Sequence, residues 1–461
     1  MKLKKEMFRE YDIRGMVNEN ELNEKSVKFI GKGFGTMLKR RGIQDCVVGF
    51  DARSYSEMLK NALVKGITST GVNVIEIGRT LSEIAYFAQH HLKIKGVAMV
   101  TASHNPNGWS GFKFGCDFSS TFLTKDIKEL YNLVCKEDFE HGKGKVKKED
   151  VFEHYKNDIL KRVDITKKFK IVVNARNGTA GLFAPNVLRG CGCEVVEQFC
   201  DIDFNFPNGE PNPSLMGMLE ELGKKVREES ADLGFAFDGD GDRIGMVDEE
   251  GNVVFPDRIL ILLARLILKK RPGAKIVFDV KSTQALFEDI KAHGGEPVIW
   301  KTGHSFIKEK IHETGAALGG ERSGHIFYMD GYYGFDDAIF VALKVLEYLS
   351  KENKRLSEIM KTTPQYFVSP VIHAPCADEI KYKVMDKIMK NFKKRFDNVI
   401  DINGARVVFK DGWGLVRPSS NLPVLVLVFE AKTKKRLKEI EELFRKELGK
   451  YHEISKEWRN G

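Results

Sequence analysis

Three stretches of the chain repeat one order of elements, and this repeat constrains the fold more than any other feature. Each starts with an apolar strand that ends in Asp or Asn, with a basic residue two positions on. An amphipathic helix, a glycine and a second strand follow. A strand, a helix and a strand in that order build a right-handed crossover. We therefore expect three similar α/β domains with mixed, mostly parallel sheets, and chance similarity among ordinary α/β units is the alternative. The matching pairs are Asp51 and Arg53, Asn174 and Arg176, and Asp279 and Lys281.

The chain leaves this pattern at about residue 368. A helix-like run near 377–396, strands around 404–409 and 423–430, and a charged terminal helix predict an α+β cap. Ligands of open α/β sheets bind beyond the carboxyl ends of the strands, so we expect the domains to surround one central cleft. The predicted domain ranges are 1–155, 156–258, 259–367 and 368–461.

Composition excludes several classes of protein. The chain has 461 residues, of which 42% are hydrophobic and 30% charged. It is too long for a single small binding module and too apolar for global disorder. The net charge of +9 comes from interspersed charges without a long basic block. This balance favours small phosphorylated molecules as partners over nucleic acid.

The sequence also predicts a cytoplasmic protein with no membrane partner. Its most apolar stretch, 259–268, contains Arg265 and is half as long as the roughly 20 apolar residues of a spanning helix. We expect a buried core helix there. The N-terminal residues turn polar at once, without an apolar signal-peptide core. Only Cys191 and Cys193 lie close together among seven cysteines, so we expect reduced thiols.

One loop is rich in carboxylates. Asp238, Asp240 and Asp242 alternate with glycines after a strand-like run, so their carboxylates can converge on one hard cation, for which we predict Mg²⁺. A calcium EF-hand is the rival, because Glu249 falls at the twelfth position of such a loop. Arg243 stands where that loop needs glycine, and both flanks resemble strands. A structural turn is the remaining alternative, although clustered carboxylates repel one another.

A second loop carries a serine. Ser103 follows an apolar strand and precedes His104 and Pro106, which predicts an exposed, tight loop. The G-x-S-x-G pattern of a hydrolase is missing there, so a serine triad is disfavoured. A serine that carries phosphate beside a divalent cation is one hypothesis, and Lys113 lies close enough in sequence to reach the same group. An ordinary strand-end serine fits the sequence equally well.

Three further segments contain candidate ligands. His304 is a candidate proton shuttle or phosphate ligand on a loop, or an ordinary hydrogen-bonded histidine. Glu321 and Ser323 could together face vicinal sugar hydroxyls, with a solvated turn as the alternative. The stretch WGLVRPSSNLP favours an anion site on a loop between two strands of the cap. Its candidate ligands are Arg417, Ser419, Ser420 and Asn421.

Taken in order, these segments resemble the α-D-phosphohexomutases, and most closely the phosphomannomutase/phosphoglucomutase branch. The resemblance runs almost from end to end. It is carried by FREYDIRG, TASHNP, DGDGDRIGMVD, FDVKST, KTGHS, GERSGH and DGWGLVRPSSNLPVL. Four signatures in the order of the four predicted domains argue strongly against chance similarity.

The resemblance implies an isomerase that moves a phosphoryl group between the 1- and 6-positions of mannose or glucose phosphates. It implies an active-site phosphoserine, Mg²⁺ as the cofactor, and a hexose 1,6-bisphosphate as intermediate and activator. Sugar phosphates would be the partners of a monomer or a small homo-oligomer. A phosphoglucosamine mutase is the alternative within the fold. A metal-dependent sugar phosphatase, in which water takes the phosphoryl group, and a non-catalytic sensor are the alternatives from other classes.

The resemblance also implies a role for each candidate residue. Ser103 would carry the phosphoryl group and would bind Mg²⁺ together with the three aspartates. Lys113 and His304 would be the general acid and base. Glu321 and Ser323 would hold sugar hydroxyls, and the cap loop would hold the phosphate that does not react. The residues implied to line the cleft or to flank the phosphoserine are Tyr11, Arg14, His104, Lys113, Arg243, Lys281 and His304.

The chain departs from the family pattern at several positions. Ser420 and Asn421 stand where relatives commonly have Asn and Thr, and both keep hydrogen-bonding groups. Arg322 stands where the mannose/glucose branch often has Met, which leaves the sugar preference open.

Overall fold

Four β-sheets organise the part of the chain that the computed structural model describes, residues 3–419 and 422–460. Three sheets are mixed and follow the sequence repeat, while the fourth is antiparallel and belongs to the cap. This arrangement confirms the prediction of three similar α/β domains followed by an α+β domain.

The first domain contains a six-stranded sheet of order β1-β5-β4-β2-β3-β6. Its helix α1 begins with a capping box, in which the Asn23 and Ser26 side chains bond each other's backbone N–H groups. Its elements are β1 (Ile13–Met16), α1 (Glu24–Arg40), β2 (Asp45–Phe50), α2 (Ser56–Thr68), β3 (Asn73–Arg79), α3 (Ser82–Leu92), β4 (Gly96–Val100), β5 (Trp109–Gly115), α4 (Thr124–Lys136), β6 (Val146–Lys148) and α5 (Phe152–Leu160).

The second domain has a five-stranded sheet of order β11-β10-β9-β7-β8. The two runs that flank the aspartate loop, LGFAF and IGMVD, form β9 and β10, which confirms that strands and not EF-hand helices surround it. Its elements are β7 (Lys170–Asn174), α6 (Ala184–Gly190), β8 (Glu194–Gln198), α7 (Met216–Glu229), β9 (Leu233–Phe237), β10 (Ile244–Asp248) and β11 (Val253–Val254).

The third domain has a four-stranded sheet of order β13-β12-β14-β15. Its elements are α8 (Pro256–Leu268), β12 (Lys275–Asp279), α9 (Gln284–Ala292), β13 (Glu296–Trp300), α10 (His304–Thr314), β14 (Leu318–Gly320), β15 (Ile326–Tyr328), α11 (Ala338–Glu352) and α12 (Leu356–Lys361).

The cap is built on an antiparallel sheet of order β18-β19-β20-β21-β17-β22, with β16 also paired to β21. Helices α13 and α14 pack on it and confirm the predicted helical runs. Its elements are β16 (Phe367–Val368), β17 (Ile372–Pro375), α13 (Asp378–Arg395), β18 (Val399–Ile400), β19 (Ala405–Phe409), β20 (Gly412–Pro418), β21 (Val424–Ala431), α14 (Lys434–Leu448) and β22 (Arg459–Asn460).

The repeat is visible in the topology of the first three sheets. In each, a central strand (β2, β7 or β12) has a parallel neighbour on both sides, and an antiparallel strand follows on one of them. Apart from polar residues at their ends, the central strands are apolar and buried, because helices cover both faces of a parallel sheet. Equivalent loops of the three domains therefore leave their sheets at the same edge.

Helix α8 lies in the core that the first three domains share, as the apolar stretch within it predicts. Proline at its first position suits a helix start, since the missing N–H would have no helical partner there. Among the described residues, no helix is both long enough and apolar enough to cross a membrane. Two predicted domain boundaries, after residues 155 and 258, fall inside α5 and α8. The exact boundaries stay predictions.

Candidate functional site

The loops that follow β4, β9 and β14 carry Ser103, the three aspartates and Glu321, and they face one cleft. This placement follows from the shared topology, because each loop leaves the carboxyl end of an equivalent strand. A cavity of about 400 Å³ in the cleft is lined by residues of the first three domains and by Leu422 of the cap. Six of the predicted site residues line it together: Tyr11, Arg14, His104, Lys113, Arg243 and His304.

Ser103 lies at the junction between the first and second domains. Its φ of +52° is in the left-handed region that residues other than glycine rarely adopt. Its hydroxyl donates a hydrogen bond to Asp238 Oδ2 at 2.7 Å, and His104 Nδ1 lies 3.1 Å from the same Oγ atom. The prediction that the Ser103 hydroxyl is exposed is wrong, since only 1% of Ser103 is accessible, although Pro106 and Asn107 of the same loop are exposed. The turn is tight as expected, but the aspartate loop of the second domain covers it.

Close approach of the two loops explains one of the glycines between the aspartates. A Cβ atom on Gly239 would lie 2.3 Å from the backbone oxygen of Ser103. No side chain fits at that distance, so glycine is required there for the carboxylates to reach the serine. The constraint on this glycine therefore comes from contact between two domains, which spacing along the chain does not reveal.

Arg53 binds the backbone of the loop that carries Ser103. The sequence analysis gave it no role beyond its place in the repeat. The buried guanidinium donates hydrogen bonds to the backbone oxygens of Ser103 at 3.0 Å, Asn105 at 2.5 Å and Pro106 at 2.9 Å. Asp51 Oδ2 lies 3.3 Å from Arg53 Nε and orients it. The basic residue of the first repeat therefore shapes the backbone that presents Ser103.

The three aspartates form an acidic site that suits a metal ion. Ligand oxygens of Asp238, Asp240 and Asp242 lie within 4.8 Å of one another, and all three residues are fully buried. Burial and the neighbouring carboxylates raise the pKa of Asp238 to about 8, so the triplet resists full ionisation without a cation. Asp240 Oδ1 has no hydrogen-bond partner among the described residues. Oxygen ligands of this number and kind fit Mg²⁺.

Lys113 lies against this acidic site. Its ammonium group donates to Asp240 Oδ2 at 2.6 Å, to Asp242 and, at 3.2 Å, to the Ser82 hydroxyl. Although burial lowers the pKa of Lys113, the two carboxylates raise it well above its ordinary value. Lys113 is therefore a cation in this arrangement and balances part of the acidic charge.

His325 was not among the predicted site residues, yet it connects the aspartate loop to the third domain. Its Nδ1 lies 3.0 Å from Glu321 Oε2, and its Nε2 lies 3.2 Å from Asp242 Oδ1. Burial lowers the pKa of His325, but Asp242 and Glu321 raise it to about 9. The signal that could have found it is its position in GERSGH, four residues after Glu321.

Glu321 is buried and fixed on both oxygens. Its Oε1 accepts a hydrogen bond from the backbone N–H of Gly303 at 2.6 Å, while Oε2 faces His325. Ser323 lies on the same turn and is half-buried, and its backbone oxygen accepts from the Ser214 hydroxyl at 3.3 Å. The turn is therefore anchored, with Glu321 inside the cleft wall.

His304 is the first residue of α10 and not, as predicted, part of the loop before it. Its ring packs edge-to-face against Tyr11 with 4.7 Å between centroids. Burial, with the nearby cations Lys308 and His325, lowers the pKa of His304 well below its ordinary value. Among the described residues its Nδ1 has no hydrogen-bond partner. A neutral imidazole with a spare nitrogen is able to accept a proton.

Two predicted arginines, Arg243 and Arg14, bring positive charge to the cleft near Ser103, beside the predicted His104. Arg243 Nη1 lies 3.5 Å from His104 Nε2, and its backbone N–H donates to Asp238 Oδ1 at 3.1 Å. Burial and the charges of Arg243 and Arg14 lower the pKa of His104 well below its ordinary value, so it is neutral. Arg14 Nε donates to Asp12 Oδ2 at 2.8 Å. The cleft thus combines a buried serine with a surplus of hydrogen-bond donors.

Arg417 lies in β20 and not on the predicted loop. The strand continues through Pro418 because Arg417 still pairs with Val426 and Pro418 with Leu425 on β21. Burial lowers the pKa of Arg417, and its Nε has no partner among the described residues. Cations held in this way attract an anion.

Lys281 and Ser419 complete what the structure describes of the predicted anion site. Burial lowers the pKa of Lys281, and the nearby charge of Arg417 lowers it further, although Asp279 lies 3.6 Å away. The Ser419 hydroxyl accepts a hydrogen bond from the Leu422 N–H at 3.1 Å. Ser420 and Asn421 lie outside the described residues. Two cations from different domains thus converge at the mouth of the cap.

Comparison with family models shows one match for each of the four domains. The model described as "Phosphoglucomutase/phosphomannomutase, alpha/beta/alpha domain I" matches residues 5–141. The models of domains II and III of the same family match residues 152–251 and 255–367. The C-terminal domain of the same family covers 372–447. The matched ranges together extend over most of the chain.

Known proteins of similar sequence and structure agree with these models. A phosphomannomutase/phosphoglucomutase of Pseudomonas putida is 40% identical over 442 residues, which is 96% of this chain and 95% of that protein. A phosphoglucomutase of Neisseria meningitidis serogroup A is 37% identical, with 96% of each chain covered. The crystal structure of a phosphoglucomutase/phosphomannomutase family protein from Burkholderia thailandensis superimposes with a TM-score of 0.91 at 36% identity, covering 97% of this chain and 98% of that one.

Proposed function

The chain belongs to the phosphoglucomutase/phosphomannomutase family, and we propose that Ser103 carries the phosphoryl group that this isomerase moves between the 1- and 6-positions of a hexose phosphate. One observation carries the proposal. The buried Ser103 hydroxyl of the first domain lies 2.7 Å from Asp238 Oδ2, in the acidic site of the second domain.

The first step of the proposed reaction is transfer from phosphoserine to sugar. The bond between Ser103 Oγ and phosphorus breaks as the 6-hydroxyl oxygen of a hexose 1-phosphate bonds to that phosphorus. The hydroxyl gives up its proton to a base, and Ser103 Oγ takes one up. His304 is the candidate base because its lowered pKa favours the neutral form and its Nδ1 has no hydrogen-bond partner among the described residues. Lys113, a buried cation, is the candidate acid.

Asp238, Asp240 and Asp242 would hold Mg²⁺ together with the seryl phosphate. The ion would neutralise negative charge on the phosphoryl group and so favour transfer. Two protein side chains also support the transfer at the serine end of the cleft. Arg53 fixes the loop backbone, and Lys113 balances Asp240 and Asp242.

The product of the first step is a hexose 1,6-bisphosphate, which also serves as the activator in this proposal. It must turn around before its other phosphoryl group returns to Ser103, so the far end of the site has to hold either phosphate. The buried Arg417 and the partly buried Lys281 support this role because both bring positive charge to the mouth of the cap. Ser419, Ser420 and Asn421 are the proposed hydroxyl and amide ligands of the same phosphate.

Glu321 and Ser323 are the proposed contacts to the sugar hydroxyls, and mannose and glucose phosphates are the proposed substrates. The buried Glu321 carboxylate supports this, because a fixed acceptor distinguishes a hydroxyl from a group that cannot donate. A cytoplasmic location and a monomeric or small homo-oligomeric state stay predictions.

A ³¹P NMR time course tests the function. The enzyme is mixed with mannose 1-phosphate, glucose 1-phosphate or glucosamine 1-phosphate, each with Mg²⁺ and a trace of hexose 1,6-bisphosphate. A growing 6-phosphate signal with the first two sugars supports the proposal, and a clear preference for the third would replace them by glucosamine. Inorganic phosphate as the product would replace the mutase by a phosphatase.

A further inference from the structure

We infer that Arg406 of the cap is a positioning residue for phosphate binding, because it holds the backbone on both sides of Lys281 and so fixes that lysine relative to Arg417. This inference rests on the proposed function, which assigns both cations to the phosphate that does not react. Arg406 is not itself one of the residues proposed to contact the substrate.

The contact joins two domains. Arg406 Nη1 donates hydrogen bonds to the backbone oxygens of Val280 at 2.8 Å and Ser282 at 2.9 Å, the residues directly before and after Lys281. Its Nη2 lies 3.3 Å from Gln284 Oε1 and donates to it. One guanidinium of the cap therefore brackets the loop of the third domain that carries the lysine.

The guanidinium is itself held in one orientation. It stacks on the Trp413 ring with 3.8 Å between Cζ and the ring centroid. Trp413 Nε1 donates to Glu430 Oε1 at 2.9 Å, and the same oxygen accepts from the backbone N–H of Gln284 at 2.8 Å. The stacked ring and the carboxylate thus fix both ends of the interdomain contact.

The same sheet face carries the contact and the phosphate ligand. Trp413, Leu415 and Arg417 alternate along β20 and therefore point to one side. Arg406 is the cross-strand partner of Leu415, so its side chain lies on that side too. A shift of the lysine loop along this face would change the spacing between Lys281 and Arg417 directly.

Burying the charged guanidinium of Arg406 carries a desolvation penalty that an apolar side chain would not have. A role in filling space alone therefore does not explain an arginine at this position. The residue is fully buried. Burial lowers the pKa of Arg406 to about 10, with the carboxylates of Glu430, Asp279 and Asp257 acting in the opposite direction. It therefore remains protonated at neutral pH and can donate to the two backbone oxygens.

The test is a double-mutant cycle on the full-length enzyme. Arg406→Lys keeps the charge but loses the planar fork that bridges two backbone oxygens and stacks on the ring. We expect the KM for glucose 1-phosphate to rise about tenfold in the wild-type background and less than about twofold in a Lys281→Ala background, where no ammonium group remains to be positioned. Arg436→Lys is the matched control, since this arginine pairs with Asp411 on the cap surface, and we expect its KM to be unchanged.

Equal fold-changes in the two backgrounds would overturn the inference, because Arg406 would then act on stability alone. If thermal melting shows that Arg406→Lys does not fold, Trp413→Phe keeps an aromatic ring under the guanidinium but removes the Nε1 donor and part of the stacking surface. We expect a KM rise of about threefold that likewise disappears in Lys281→Ala, and a rise that persists there would overturn the inference. Binding of glucose 1-phosphate to the same variants in a Ser103→Ala background tests the positioning even if wild-type mutase activity is absent.

Discussion

The two ends of the cleft handle charge in opposite ways. At the serine end, Lys113 lies against Asp240 and Asp242, so buried cations and carboxylates are already paired within the protein. At the cap end, burial lowers the pKa values of Arg417 and Lys281, and Arg417 adds to the effect on the lysine. The serine end is therefore preassembled, while the proposed role of the cap end requires an anion to complete it.

The chemistry proposed for the two ends explains this difference. Phosphoryl transfer needs groups aimed at one reacting centre before the substrate arrives, because preorganised charges act without further rearrangement. The far phosphate, in contrast, must be held, released and held again in the other orientation. A site whose cations come from two domains, Arg417 from the cap and Lys281 from the third domain, suits binding and release better than a closed network.

The largest expected effect comes from removing the nucleophile at the preassembled end. Ser103→Ala should lower mutase turnover by about 10³-fold or more, because no other hydroxyl occupies that position. A coupled assay for glucose 6-phosphate measures it, and circular dichroism checks the fold. Ser110→Ala, which alters another buried serine of the same domain, is the control and should keep turnover within about twofold. Near-normal turnover of Ser103→Ala would remove Ser103 from the mechanism.

Removal of divalent cations should come next. Chelation with EDTA should lower turnover by at least about a hundredfold, since the phosphoryl charge would lose its main counter-ion, and excess Mg²⁺ should restore it. Asp240→Asn should weaken Mg²⁺ binding and so raise the Mg²⁺ concentration needed for half-maximal rate. Full activity in EDTA would show that the acidic site serves structure only.

The proposed base predicts a pH effect. Burial lowers the pKa of His304 well below 6.5, so the imidazole is neutral at pH 7 and is protonated only on acidification. The kcat/KM value should therefore fall as pH drops through this lowered pKa, and this acid limb should lie below pH 6.5. His304→Gln should cut kcat about a hundredfold and abolish the limb. His373→Gln, in the cap strand β17, is the control, and an acid limb that survives in His304→Gln would assign the base elsewhere.

At the cap end, Arg417→Ala should raise KM and lower kcat, with a combined loss of about thirtyfold in kcat/KM. The size reflects one charge-assisted contact to phosphate in a closed site. Arg436→Ala removes an arginine from the outer face of the same domain and should leave both constants unchanged. Unchanged kinetics in Arg417→Ala would remove the cap from catalysis and with it the contrast between the two ends.

The smallest effect should come from the backbone support of the serine loop. Arg53→Lys keeps the charge but cannot contact three backbone oxygens at once, so kcat should fall about fivefold with little change in KM. Arg176→Lys alters the equivalent residue of the second repeat, which contacts Glu221 instead, and should have no effect on kcat. A larger loss in Arg176→Lys than in Arg53→Lys would contradict this assignment.

Much of the fold was predictable because the pattern of each segment is local. The repeat of strand, helix and strand predicted three sheets of the same topology, and the strands around the aspartate loop excluded an EF-hand. The apolar run in α8 predicted a core helix for the same reason. The end of β20 was not predictable, because Arg417 and Pro418 are in the strand only through pairing with β21.

The sequence by itself determined which residue types stand at the ends of equivalent strands, because periodicity and spacing are properties of the chain. It thereby indicated Ser103, the three aspartates and Arg417 as candidates. Only the tertiary structure decided that Ser103 is buried against Asp238, that Lys113 neutralises the acidic site, and that His325 and Arg53 take part. Except for the Arg53 contacts, which lie within the first domain, these facts depend on contacts between domains. Burial and the distance between charges set the pKa values and hydrogen bonds, and neither quantity exists until the domains pack together.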